Sequence, residues 1–186
     1  MEPISAVYTS ESVAVPALNE ANSLYQDGYG SLIPDGKLLT LQPFETLYLV
    51  ERGRISAVDE ESRERLVFQE LLWRFSEGDP LTWTRYIVYR DLRTRGFVAR
   101  AGPGYGVDFL VYERGSYGKK PPRYLVYTVW EGNQEPVDRL SSVLSKAGDS
   151  DWILRLAVVD RRGEIVYYTL SEMSFIEAKG GLRAPP

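Results

Sequence analysis

The chain has 186 residues, a formal net charge of −4, no histidine and no cysteine. Any mechanism needing an imidazole or a thiolate from this chain is excluded, which removes Ser-His and Cys-His nucleophiles and His- or Cys-ligated zinc. Disulfides are excluded too, while carboxylate, tyrosine or lysine chemistry and pure binding roles survive.

In chain order, residues 1–22 mix small and polar residues with short apolar pieces and read as a weak β start. Tyr25 to Lys37 is turn-rich, punctuated by Gly28, Gly30, Pro34 and Gly36. Residues 43–52 predict a short helix, with Pro43 in its first turn and Gly53 just past its end. Arg54 to Val58 reads as a strand and residues 60–76 as a helix, because Val67, Phe68, Leu71, Leu72 and Phe75 share one helical face. Gly78-Asp79-Pro80 breaks the chain, and a domain boundary is expected there.

A helix from about Trp83 to Arg95 follows, with Thr82 as N-cap and Gly96 as its stop. Phe97–Ala101 is a strand, and Gly102-Pro103-Gly104 a turn. Val107–Glu113, Tyr124–Trp130 and Ile153–Asp160 are further strands, rich in Val, Tyr, Phe and Leu. A helix from Val137 to Ala147 separates the last two, with Val137, Leu140 and Leu144 on one face. Glu164 to Leu170 closes a hairpin across the turn Asp160-Arg-Arg-Gly163. Residues 179–186, KGGLRAPP, carry no core pattern and are expected to be disordered. The expected architecture is α+β: a small N-terminal α/β domain (1–80), then a C-terminal mixed-sheet domain (81–178) in the order α-β-β-β-α-β-β.

No run of about 18 apolar residues exists, so no membrane helix is expected. Met1-Glu2-Pro3 lacks the features of a signal peptide, and a cytoplasmic protein is expected. With 17 Arg against 5 Lys, and only 7 Asn plus Gln, a thermophilic source is expected. Charge is uneven. Residues 1–81 carry 6 basic and 14 acidic side chains, and residues 82–186 carry 16 and 12. The densest basic stretch, Arg85, Arg90, Arg93, Arg95 and Arg100 with Tyr86, Tyr89 and Phe97 interleaved, suits RNA phosphate. It suits a solvated helix face, or internal ion pairs with the acidic half, equally well.

The run Tyr86-Ile-Val-Tyr89-Arg-Asp-Leu-Arg-Thr-Arg-Gly96-Phe, then Gly102 to Tyr112, Tyr124-Leu-Val, Leu156-Ala-Val-Val-Asp160 and Gly163 to Tyr168, resembles in order the archaeal tRNA-splicing endonucleases. Tyr29-Gly30 and Leu41 to Gly53 resemble that family's small N-terminal domain. The resemblance implies excision of introns from precursor tRNA at bulge-helix-bulge sites, without metal or other cofactor. A tyrosine, a histidine and a lysine serve attack of a 2′-hydroxyl on the adjacent phosphorus, leaving a 2′,3′-cyclic phosphate and a 5′-hydroxyl. Carried over, the tyrosine falls on Tyr112, the histidine position on Pro121 and the lysine position on Trp152. Proline has no proton to give, so two of three catalytic positions are vacant.

This pattern resembles the structural paralogue in heteromeric members of the family, which implies a heterotetramer of two catalytic and two structural chains. The implied subunit interface uses the loop Asp160 to Glu164 and the strand residues Ile165, Val166 and Tyr167. Arg90, Arg93, Arg95 and Arg100 are the candidate RNA contacts. Two alternatives stand beside this reading: an active ribonuclease using Tyr112 with Lys119 or Lys120, and a free-standing RNA-binding module.

Overall fold

The computed structural model describes residues 2–10, 12–33, 38–104, 106–150 and 152–171. Two mixed sheets and five helices form an α+β protein. The N-terminal half runs β1 (Ile4–Tyr8), β2 (Val13–Val15), α1 (Leu18–Gln26), β3 (Ser31–Leu32), β4 (Leu39–Leu41), α2 (Pro43–Glu51), β5 (Ile55–Asp59), β6 (Arg65–Leu66) and α3 (Phe68–Gly78). Its six strands lie in the order β3-β4-β2-β1-β5-β6, with β1 and β5 parallel and the other pairs antiparallel.

The C-terminal half runs α4 (Thr82–Thr94), β7 (Val98–Gly104), β8 (Val107–Tyr112), β9 (Tyr124–Trp130), α5 (Val137–Asp149), β10 (Ile153–Val159) and β11 (Ile165–Leu170). Its sheet order is β11-β10-β9-β8-β7, and only β9 and β10 are parallel. Parallel neighbours need a crossover, and α5 supplies it. Strand β9 is apolar nearly throughout because both its faces are covered. Phe109, Val111, Val126 and Ala157 join the main core with α4, while Leu125, Tyr127 and Leu154 pack with Val143 and Ala147 of α5 on the other face.

One continuous core links the halves. The Phe44 ring of α2 lies 4.9 Å from Tyr89 of α4 and 5.0 Å from Phe109 of β8. Beneath them Glu45 is buried, accepting the Gly30 N–H at 3.0 Å and the Gln42 N–H at 2.9 Å. Burial, the largest influence, raises its pKa despite those two donors and the nearby Arg100 and Arg93. Gly30 holds its turn with φ +62, and a Cβ there would meet the Thr40 carbonyl oxygen at 2.7 Å.

Several elements differ from the sequence expectation. The weak β start contains two defined strands and a nine-residue helix. In α1 only Ala21 and Leu24 are buried, too few apolar residues for a clear helical stripe. The expected helix 60–76 begins only at Phe68. Asp59 captures the Glu61 and Ser62 N–H groups and turns the chain, and β6 then pairs with β5. Within α3 the apolar face holds, with Leu71 and Phe75 buried. Leu81, not Thr82, is the N-cap of α4, and the Thr82 hydroxyl contacts the Phe75 and Asp79 carbonyls instead. The Gly102–Gly104 segment stays within β7 across a register shift, because Gly102 approaches the Val107 backbone too closely for any side chain. On α5, Val137 is 76% exposed; Val143 and Ala147 are the buried positions. The expected disordered tail 179–186 lies outside the described residues.

Candidate functional site

The segment between β8 and β9 folds back on itself. The Ser116 N–H and hydroxyl both reach the Glu113 carbonyl, and the Lys119 and Lys120 N–H groups both donate to the Ser116 carbonyl at 2.9 Å. Pro121-Pro122 then straightens the chain, since each ring locks φ. Arg123 anchors it from both sides: its N–H donates to the Val111 carbonyl at 2.9 Å, and its carbonyl accepts the Ile153 N–H at 3.1 Å. The Trp152 backbone N–H donates to the Ala147 carbonyl at 3.0 Å, which anchors the main chain at the junction of α5 and β10.

These anchors frame a 440 Å³ pocket walled by Glu113, Ser116, Lys120, Pro121, Pro122, Arg123, Ser150 and Trp152. Pro121 and Trp152, far apart in sequence, thus share one cavity. Tyr112 is not among its walls. Tyr112 ends β8 and meets Tyr117 edge to face, ring centroids 5.0 Å apart. Burial raises the Tyr117 phenol. The Trp152 side chain also borders a second cavity of 310 Å³, with Pro103, Val107, Leu125, Val143, Lys146 and Ser150. The first pocket offers an ammonium, a guanidinium, two hydroxyls and one carboxylate. That set binds and orients anions; it contains no imidazole for proton transfer near neutral pH. Among the described residues no group of three or more potential ligands could hold a metal.

Two comparisons bear on this geometry. Residues 4–72 match the tRNA intron endonuclease N-terminal domain, and residues 82–167 match its catalytic C-terminal domain. The chain belongs to the tRNA intron endonuclease family. A tRNA-splicing endonuclease of Thermococcus kodakarensis is 31% identical over 84% of this chain and 90% of its own length. That of Methanococcus maripaludis is 32% identical over 90% and 93%. That of Methanothermobacter thermautotrophicus is 33% identical over 85% and 91%. The family's relatives are therefore matched along nearly their whole length, through both halves of the fold.

The four candidate RNA arginines are all engaged within the chain. Arg93 donates to the Asp27 carbonyl at 3.0 Å and lies 4.0 Å over the Tyr29 ring, tying α4 to the turn after α1. Arg100 lies over Tyr25 and Tyr117. Arg90 reaches Glu51 of α2 at 3.4 Å and covers Tyr86. Arg95 pairs with Asp91 at 2.8 Å on its own helix and remains the most exposed, at 55%. The fifth arginine of the stretch, Arg85, bridges Asp79 and Asp108, and Asp108 in turn accepts the Thr128 N–H of β9 at 2.7 Å.

The candidate interface residues lie where β11 forms the edge of its sheet. Asp160 caps the hairpin turn, accepting the Arg162 and Glu164 N–H groups at 2.8 Å each. Ile165 and Tyr167 turn toward α4, and the Tyr167 hydroxyl donates to Asp91 at 2.8 Å. Burial and that hydrogen bond raise the Tyr167 pKa far above its ordinary value. Val166 and Tyr168 point the other way, exposed at 51% and 54%. The sequence marks Glu164 to Leu170 as an edge strand without singling out Tyr168 among the interface residues, and it does not mark Arg123, Ser116 and Ser150 as pocket walls. The alternation Ile-Val-Tyr-Tyr would have disclosed the first; nothing local marks the two serines.

A larger concavity, 840 Å³, lies elsewhere, between Tyr8, Pro43, Trp73 and Arg74. Asp59, Glu60, Glu61, Glu77 and Asp79 also line it, and such walls repel phosphate.

Proposed function

We propose that this chain is the structural, non-catalytic subunit of a tRNA-splicing endonuclease. It pairs two plus two with a catalytic paralogue to excise introns from precursor tRNA at bulge-helix-bulge sites. The reaction forms a bond from the 2′-oxygen to phosphorus and breaks the bond from phosphorus to the 5′-oxygen, giving a 2′,3′-cyclic phosphate and a 5′-hydroxyl. The partner supplies the base and acid. The observation that supports this reading is that Pro121 and Trp152, the positions to which the resemblance assigns the histidine and the lysine, wall one pocket, in a chain with no histidine.

Residues 1–80 and 81–178 serve as the two domains. Asp160, Glu164, Ile165, Val166 and Tyr167 meet a neighbouring subunit through the β11 edge, with Val166 supplying its outward apolar contact. Arg90 and Arg95, the more exposed of the four arginines, face precursor tRNA; Arg93 and Arg100 hold the two halves together. The working compartment is the cytoplasm. Among the described residues no helix is long and apolar enough to cross a membrane.

Coexpression with candidate paralogues, followed by incubation with a bulge-helix-bulge RNA, tests this assignment. The isolated chain is expected to leave the RNA intact and the assembly to cut it. Cleavage by the chain alone, abolished by Tyr112→Phe, would replace this reading with the autonomous ribonuclease. Against that rival stands the position of Tyr112, packed on Tyr117 and outside the pocket that Lys120 lines.

A further inference from the structure

Two sets of cations in this protein contrast. Those on and beside α4 have intramolecular partners. Lys119, Lys120 and Arg123, clustered in the segment leading into β9, have no ion pair among the described residues. All three are exposed. The backbone nevertheless holds them in place: the Ser116 carbonyl takes both lysine N–H groups, and Arg123 is fixed to β8 and β10.

An unpaired cation held on a rigid frame costs little further ordering when an anion arrives. Lys120 and Arg123 share their pocket with the Trp152 ring, the Ser116 and Ser150 side chains and two prolines. Its volume, 440 Å³, lies within the roughly 300–1,000 Å³ of small-ligand sites and exceeds what one amino-acid side chain needs. Cations beside an aromatic ring that borders a cavity, here the half-buried Trp152, are the elements that proteins use for single-stranded nucleic acid: charge follows the phosphates and the ring receives a base. Among the described residues that wall the pocket one is an acid, Glu113, and it accepts the Tyr124 hydroxyl at 3.3 Å.

We infer that the vacated catalytic position is a nucleotide-binding subsite for a single-stranded stretch of precursor tRNA, with phosphate on Lys120 and Arg123 and a base against Trp152. This inference rests on the structural-subunit reading, under which the pocket has no reaction to perform. The substitutions that remove the proton-transfer groups leave cationic and stacking groups in the same cavity. An acidic protein segment would satisfy the two cations but gains less from the indole face.

The test uses the purified full chain and two fluorescein-labelled RNAs, a 12-nucleotide oligoadenylate and a bulge-helix-bulge hairpin. Anisotropy titrations from 50 to 300 mM KCl give Kd and its salt slope. For the double variant Lys120→Ala with Arg123→Ala, the oligoadenylate slope should become shallower by about 1.4, two contacts at about 0.7 each. Its Kd at 100 mM KCl should rise at least about tenfold. Trp152→Leu should weaken oligoadenylate binding at least about fivefold, from the loss of one stacked base. Because Trp152 packs against the core beneath α5, Trp152→Phe is measured beside it and should lie between the two. Unchanged Kd and slope in the double variant would overturn the inference. Loss of partner assembly with RNA binding intact would overturn it as well, and would assign the pocket to an acidic protein segment. Gels of the same mixtures separate the two readings: RNA cut by the isolated chain defeats the structural-subunit assignment, whereas the salt slope decides the subsite.

Discussion

Helix α4 and the segment from Glu113 to Arg123 carry charge of the same sign and use it in opposite ways. On α4 each guanidinium is turned onto a carboxylate, a carbonyl or an aromatic ring of the same chain. Glu51 and Asp79 of the N-terminal half and Asp91 and Asp108 of the C-terminal half supply carboxylates to these arginines, and the Asp27 backbone carbonyl accepts Arg93. In the later segment Lys119, Lys120 and Arg123 have no ion pair among the described residues. Charge density along a sequence locates basic residues; only packing decides which of them a ligand can reach.

The strongest attempt to break this contrast is Arg85→Met. It strands Asp108, whose carboxylate is only 7% exposed, without its cation, and should lower stability by about 3 kcal/mol. Urea unfolding should show a lower midpoint at unchanged m. A loss below about 1 kcal/mol would mean that α4 is not an internal ion-pair helix.

Arg93→Ala removes a hydrogen bond to Asp27 and the guanidinium over Tyr29. About 2 kcal/mol should be lost, measured the same way. Arg95→Ala, on the exposed flank of the same helix, should change stability by no more than about 0.5 kcal/mol. Equal effects for Arg93 and Arg95 would erase the distinction drawn between them. The double variant Lys120→Ala with Arg123→Ala should be smallest of all in unfolding, within about 0.5 kcal/mol, while showing the largest change in RNA binding.

Acid sharpens the comparison further. Backbone donation from Ser62, followed by Arg74, holds the Asp59 carboxyl at about 2 against its ordinary 3.8. A depressed carboxyl contributes stability above its unfolded pKa and loses it as pH falls through its folded pKa. Wild type should therefore exceed Asp59→Asn fully above about pH 4, and the two should converge near pH 2. Urea midpoints at pH 6, 4, 3 and 2 check this, and an advantage that grew in acid would reverse the assigned role.

Elements with strong local signals were legible without coordinates. Pro43 and Gly53 bracket α2, Gly96 follows α4, and the Tyr124–Trp130 run is a strand, because first-turn proline, left-handed glycine and continuous β-branched or aromatic residues act locally. Residues 60–67 were misread because one carboxylate, Asp59, accepts backbone donors and Arg74 at once, a device invisible to periodicity. Of Val137, Leu140 and Leu144, expected on one face, Leu140 and Leu144 pack against the cluster that buries Val143 and Ala147, whereas Val137, the first residue of α5, is exposed. Of the candidate site, Pro121 and Trp152 were singled out only by the resemblance to the family's motifs. Their meeting in one cavity depends on the pairing of β9 with β10, a contact between segments distant in sequence.

By itself the sequence determined the family resemblance and the absence of any imidazole, since both are matters of residue identity and order. The tertiary structure alone decided which cations are free. That outcome depends on which acids are brought beside which arginines, and folding places the acidic half against α4 while leaving Lys120 and Arg123 open beside Trp152.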